Sequence, residues 1–246
     1  SIVRLLSPSM APNPDEGGPE KMNLKRFVQG LPVYDLLNKF RYWREWRRWK
    51  SGENQMSPHY LKRRVIADYA ERYDLSCLVE SGTYFGEMVA ANRRRFSRIV
   101  SIELDVFLFQ RAARRFRGRG NIEIVQGDSG EVLPRILETI DCRTLFWLDA
   151  HYSGGITARG AKEAPIEEEI CSILRHPVRG HVILVDDARM FDGRHGYPTL
   201  DEVNRLVGEA GSGWDIDVRD DILRIVPRMC DTDRDAGASR RKQADR

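Results

Sequence analysis

The sequence predicts a doubly wound, mostly parallel α/β sheet of seven strands, with a helical extension on its N-terminal side. Three observations carry this. Short apolar runs alternate with amphipathic helical stretches between residues 58 and 228. Five of the runs are each followed by a helical stretch, so each needs a crossover and gains a parallel neighbour. The last two, inside WDIDVRDDILRIVP (214–227), are separated only by an Asp-Asp turn, which makes a hairpin and adds an antiparallel strand.

The elements follow in order. A helix over 59–73 leads into the strand CLVE (77–80), and a helix over 85–95 precedes RIVSIE (98–103). A third helix over 106–116, carrying Val106, Phe107, Phe109, Ala113 and Phe116, precedes IEIVQG (122–127). Helix 130–139 leads into TLFWLD (144–149). Pro165 suits the first position of a helix running to about 175, because proline lacks the N–H that would go unpaired there. Ile166, Ile170, Ile173 and Leu174 share one face of it, and three glutamates in its first turn favour the helix dipole. VILVDD (182–187) is the fifth strand, followed by a helix over 199–209.

Composition bounds the rest. With 41% hydrophobic and 31% charged residues in 246, the chain is globular with a sizeable core. A net charge of +3 is too mild to imply nucleic acid. Cys77, Cys142, Cys171 and Cys230 show no C-x-x-C spacing, so neither zinc nor a disulfide framework is implied; reduced thiols and a cytoplasmic location are expected. No apolar run has the length of a membrane span or the form of a signal peptide. Residues 1–22 and 229–246 are polar and expected to be disordered tails, with 23–57 a basic aromatic extension and 58–228 the main domain. In KFRYWREWRRWK (39–50), Phe40, Trp43, Trp46 and Trp49 share one side of a helical wheel, and Arg41, Arg44 and Arg48 the other. That pattern suits docking on the domain's own sheet, a homodimer contact, or peripheral contact with an anionic membrane.

Ligands of such sheets lie beyond the carboxyl ends of the strands. The first strand ends in ESGTYFGEM, where Glu80, Ser81, Gly82, Thr83, Tyr84 and Gly86 turn into a helix whose N-terminal N–H groups face outward. The second ends in Glu103, 21 residues after Gly82, the spacing at which an acid holds ribose hydroxyls. The third ends in Gly127-Asp128-Ser129, the fourth in Asp149, the fifth in Asp186-Asp187. Glu103 also fits simple solvation of a strand end, and Asp128 also fits a helix N-cap.

The joint pattern on the first three strands resembles the cofactor site of class I S-adenosylmethionine-dependent methyltransferases, across roughly residues 60–227. The resemblance implies a Rossmann-like methyltransferase fold, and it gives Gly82 to the amino-acid part of the cofactor, Glu103 to its ribose and Asp128 to its adenine. Asp149, Asp186 and Asp187 should converge at the strand ends, where three carboxylates repel, so that either their pKa values rise or a cation sits among them; oxygen ligands favour Mg²⁺ or another hard divalent cation. Asp149 with Asp186-Asp187 also looks like the metal-dependent O-methyltransferase branch. On that reading the metal lowers the pKa of an acceptor hydroxyl and His151 removes its proton. The resemblance implies a sugar, a glycan or another polar small molecule as acceptor. Metal-independent methylation with His151 alone, and a non-catalytic cofactor-binding subunit, stay open. Asp149 and His151 also fit structural roles, and Arg189 could pair with one of Asp186 and Asp187. His195 and Tyr197, after the fifth strand, and the polar loop 152–165, with Arg159 and Lys162, could meet the acceptor.

Overall fold

A computed structural model describes residues 44–52, 57–149, 165–194 and 196–228. Both expected tails lie outside these residues, as do Ala150, His151, the loop 152–164 and His195. Of the basic aromatic extension, residues 44–50 are helical, with Trp46 partly exposed and the Lys50 ammonium 5.0 Å from the centre of its ring.

The elements run α1 (His59–Arg72), β1 (Cys77–Ser81), α2 (Glu87–Asn92), β2 (Arg98–Glu103), α3 (Val106–Arg115), β3 (Ile122–Gln126), α4 (Ser129–Leu137), β4 (Thr144–Leu148), α5 (Ile166–Arg175), β5 (Val182–Val185), a 3₁₀ turn (Ala188–Met190), α6 (Leu200–Glu209), β6 (Trp214–Arg219) and β7 (Ile222–Pro227). They form one seven-stranded sheet in the order β3-β2-β1-β4-β5-β7-β6. The pairs from β3 to β5 are parallel, while β7 runs antiparallel to both β5 and β6. This is the Rossmann-like methyltransferase fold with its closing antiparallel hairpin.

Alternate strand residues feed two cores, which is why β1, β4 and β5 are buried at every position and are polar only at Glu80, Ser81 and Thr144. Val79, Val100, Phe146 and Ile183 pack with Leu133 of α4, Ile166 and Ile170 of α5, and Val203 of α6. Leu78, Ile99, Trp147 and Leu184 pack on the other face with Val65 and Ile66 of α1 and Met88 and Val89 of α2.

Two elements are shorter than the sequence implies. The helix expected over 85–95 is only Glu87–Asn92, because Tyr84 (φ 51°) and Gly86 (φ 70°) hold the preceding turn in left-handed backbone. A Cβ on Gly86 would meet Phe116 Cε2 at 2.7 Å, so this position needs glycine twice over. Strand β5 stops at Val185 because Asp187 is itself left-handed (φ 57°). In the final hairpin both Asp220 (φ 53°) and Asp221 (φ 57°) have positive φ, the pattern of a type I′ turn that matches strand twist. Pro165 caps α5 rather than opening it.

Candidate functional site

Strand order reverses between β1 and β4, and the crevice at such a switch point is where this class of sheet holds ligands. On one side, Gly82 (φ 85°) and Thr83 donate their N–H groups to the Ile102 carbonyl at 3.0 and 3.1 Å, tying the glycine turn to β2. Below it, Ser101 Oγ donates to Glu80 Oε2 at 2.5 Å and lies 2.6 Å from Thr83 Oγ1. Glu80 is 2% exposed, and burial pushes its carboxyl up to about 8; Asp149 and Glu103 add to the rise and the Ser101 bond opposes it. Glu103 is held on both oxygens, accepting from Tyr84 N–H at 2.7 Å and Asp105 N–H at 2.9 Å. Burial raises its pKa against those backbone bonds. Each carboxylate oxygen has a second lone pair, so these bonds orient the group without excluding a hydroxyl donor.

Asp128 caps α4, its Oδ1 accepting from Gly130 N–H at 3.0 Å. The preceding Gly127 has φ 150°, and a Cβ there would strike Val132 Cγ2 at 2.5 Å. Ser129 is buried at the start of the same helix.

On the other side of the crevice, register sets the acids side by side. Leu148 pairs with Val185, and Asp186 N–H donates to Leu148 O at 2.9 Å, so Asp149 and Asp186 leave neighbouring strands together. The counter-charge is a residue that the strand-end reading missed. Lys62 of α1 places its ammonium on Asp186 Oδ2, with the two side chains 15% and 1% exposed. Burial alone would lower the Lys62 pKa, but Asp186, Asp149 and Asp187 together raise it. Burial also drives Asp186 up; Asp149 and Asp187 reinforce this and Lys62 pulls against it. Asp187 turns instead to Arg189, whose guanidinium donates to Asp187 Oδ1 at 2.8 Å and also to Asp221 Oδ2. Arg189 N–H donates to Asp221 Oδ1 at 2.9 Å, so the β6–β7 turn anchors the loop that carries Asp187.

The expected divalent site therefore does not fit the donor set. Asp186 faces Lys62 and Asp187 faces Arg189, and among the described residues no three His, Cys, Asp or Glu side chains are arranged to hold a metal ion. His151, the expected base, lies outside the described residues. Tyr197 is buried against Phe191, with ring centres 5.4 Å apart. Burial, with Asp187, Asp149 and Asp186 nearby, raises its phenol and keeps it a donor.

Glu169 of α5 was also missed. The sequence reading credited it to the helix dipole, yet it lies three residues after Ile166 and four before Ile173, on the apolar face. It is fully buried, and neither of its carboxylate oxygens has a hydrogen bond of acceptable geometry; the same holds for Ser81 Oγ. Burial lifts Glu169 to about 7, with Asp128 and Asp149 adding and the nearby Ser129 and Ser81 hydroxyls opposing. A buried carboxylate with no well-formed hydrogen bond, beside a glycine turn, suits a ligand that brings its own cationic N–H donors. The amino group of S-adenosylmethionine is such a donor, so these residues fit the cofactor.

No family model matches the sequence, and no curated protein matches it. Solved structures do resemble the fold. A provisionally named caffeoyl-CoA O-methyltransferase of Staphylococcus aureus superposes with a TM-score of 0.50 at 12% identity, covering 83% of this chain and 96% of its own. The S-adenosylhomocysteine-bound methyltransferase PaMTH1 of Podospora anserina gives 0.48 at 19% identity, over 91% of this chain and 100% of its own. CalS10, an amino pentose methyltransferase of Micromonospora echinaspora, gives 0.48 at 14% identity, over 81% and 98%. At these identities the likeness is one of fold. Among the described residues no helix is long and apolar enough to cross a membrane.

Proposed function

We propose that the chain is an S-adenosylmethionine-dependent O-methyltransferase acting on a hydroxyl of a sugar, a glycan or another polar small molecule. The observation that carries the reading is the switch-point crevice itself. Its glycine turn is pinned to β2, Glu103 is oriented by two backbone N–H groups, and neither the buried Glu169 carboxylate nor Ser81 Oγ has a hydrogen bond of acceptable geometry. Bound there, the cofactor supplies an electrophilic sulfonium methyl.

The chain's own groups then divide the work. Glu80, Ser81 and Glu169 offer acceptors to the amino group, Glu103 to the ribose hydroxyls and Asp128 to the adenine amine. Asp149, at the mouth of β4, faces the acceptor side, and His151 takes the acceptor's hydroxyl proton. No step passes through a metal, because two of the three carboxylates that would hold one, Asp186 and Asp187, are paired with Lys62 and Arg189. The acceptor class is carried over from the sequence resemblance.

The test is calorimetric titration of S-adenosylhomocysteine into EDTA-treated protein. One saturable site is expected, weakened about tenfold or more in Glu103→Ala, the loss of one charged hydrogen-bonding group. Absence of any binding to the folded protein overturns the proposal.

A further inference from the structure

Lys62 was assigned no role by the sequence, yet it is the best-placed cation in the crevice. It sits 124 residues away from Asp186 in the chain and meets it across the C-terminal edge of the sheet. Both partners are removed from water, their side chains 15% and 1% exposed. Burying both charges costs desolvation, which only a close, hydrogen-bonded contact such as this one offsets.

We infer that the Lys62 ammonium is the built-in cation of the acceptor site, standing among Asp149, Asp186 and Asp187 where a divalent ion would otherwise be required. Three carboxylates delivered by adjacent strands need positive charge between them, and Arg189 serves only the outer one, Asp187. An ammonium carries three N–H donors in a tetrahedral array, of which Asp186 Oδ2 takes one. A second donor directed at an acceptor oxygen orients it and stabilises the negative charge it develops, the electrostatic part of what a Lewis acid does. The tethered charge also makes the site indifferent to the supply of divalent ions. The placement of the charge stands by itself, and its use on an acceptor oxygen rests on the proposed methyl transfer.

The two are separable by experiment. Mn²⁺ binding is followed by the paramagnetic resonance signal of the free ion, using the full chain, wild type against Lys62→Met. Methionine keeps the apolar stem and removes the charge. Wild type is expected to bind Mn²⁺ only weakly and without stoichiometry, while Lys62→Met binds it at least about tenfold more tightly, because its acids have lost their counter-ion. That gain disappears in Lys62→Met/Asp186→Asn. Stoichiometric Mn²⁺ binding by wild type, lost in Asp186→Ala, overturns the inference whatever the variants do. So does a Lys62→Met protein with native circular dichroism and no gain. If Lys62→Met does not fold, Lys62→Gln replaces it under the same criteria. S-adenosylhomocysteine binding, measured in parallel, reads the methyltransferase proposal alone.

Discussion

Replacing Glu80 by glutamine tests the electrostatics of the crevice without an acceptor. The folded carboxyl is pushed up to about 8, against 4.5 for an ordinary glutamate, chiefly by burial. Between those values the folded chain keeps a proton that the unfolded chain has released. The contribution is therefore complete below pH 4.5 and is lost as the pH rises toward 8. The slope is about 1.4 kcal/mol per pH unit, so wild type should lose roughly 2–3 kcal/mol from this group between about pH 5.5 and 7.5. Glutamine cannot ionise, and its amide oxygen can still accept from Ser101 Oγ. Urea denaturation followed by circular dichroism at both ends of that window gives the difference between the two proteins. Other buried acids, Glu169 among them, titrate in both and cancel. The Glu80→Gln protein should gain roughly 2–3 kcal/mol on wild type as the pH rises. Parallel stability curves would refute the reasoning, since they would mean that Glu80 titrates as if solvated.

Three further outcomes are expected. Gly86→Ala places a methyl in left-handed backbone and against Phe116, so it should cost about 1–3 kcal/mol and lower the melting midpoint by several degrees, with weaker S-adenosylhomocysteine binding by calorimetry. Thr199→Ala removes a capping box in which Thr199 Oγ1 accepts from Glu202 N–H at 3.2 Å and Glu202 accepts from Thr199 N–H at 2.7 Å. About 1 kcal/mol of stability should go, read by thermal melting, with cofactor affinity unchanged. In a double-mutant cycle of Lys62→Met and Asp186→Asn, the two losses should be non-additive by about 1 kcal/mol or more, because either change alone strands a buried partner.

The strands and their order of use were legible because buried parallel strands leave a simple signature, an apolar run ending in a polar residue. Glu80, Glu103, Asp128, Asp149 and Asp186 all sit at such ends, and each lies at the crevice edge of the sheet. Less legible was what each acid is bonded to. Asp128 reads equally as adenine ligand and helix cap, and the cap is what the fold displays through Gly130. Asp186 and Asp187 read as a pair, but a left-handed Asp187 turns one away from the other, a backbone event that no periodicity records. Glu169 carried a usable signal, a charge on the apolar stripe of its helix. Lys62 carried almost none, since Lys62-Arg63-Arg64 looks like an ordinary solvated turn of helix.

Lys62 also shows why strand ends alone do not name the cation of such a site. A parallel sheet with acids after β4 and β5 concentrates negative charge at its carboxyl edge whatever its chemistry, so the acids establish that a cation is needed and leave its identity open. That identity depends on what packs over the edge. Here α1 precedes β1 in the chain and lies on the sheet through Val65 and Ile66, which fixes Lys62 one turn earlier at the edge rather than over the face. The same apolar contacts that stabilise α1 thus deliver the charge to Asp186. On the inference drawn from Lys62, the cation of this site comes from a helix outside the strand-end motif.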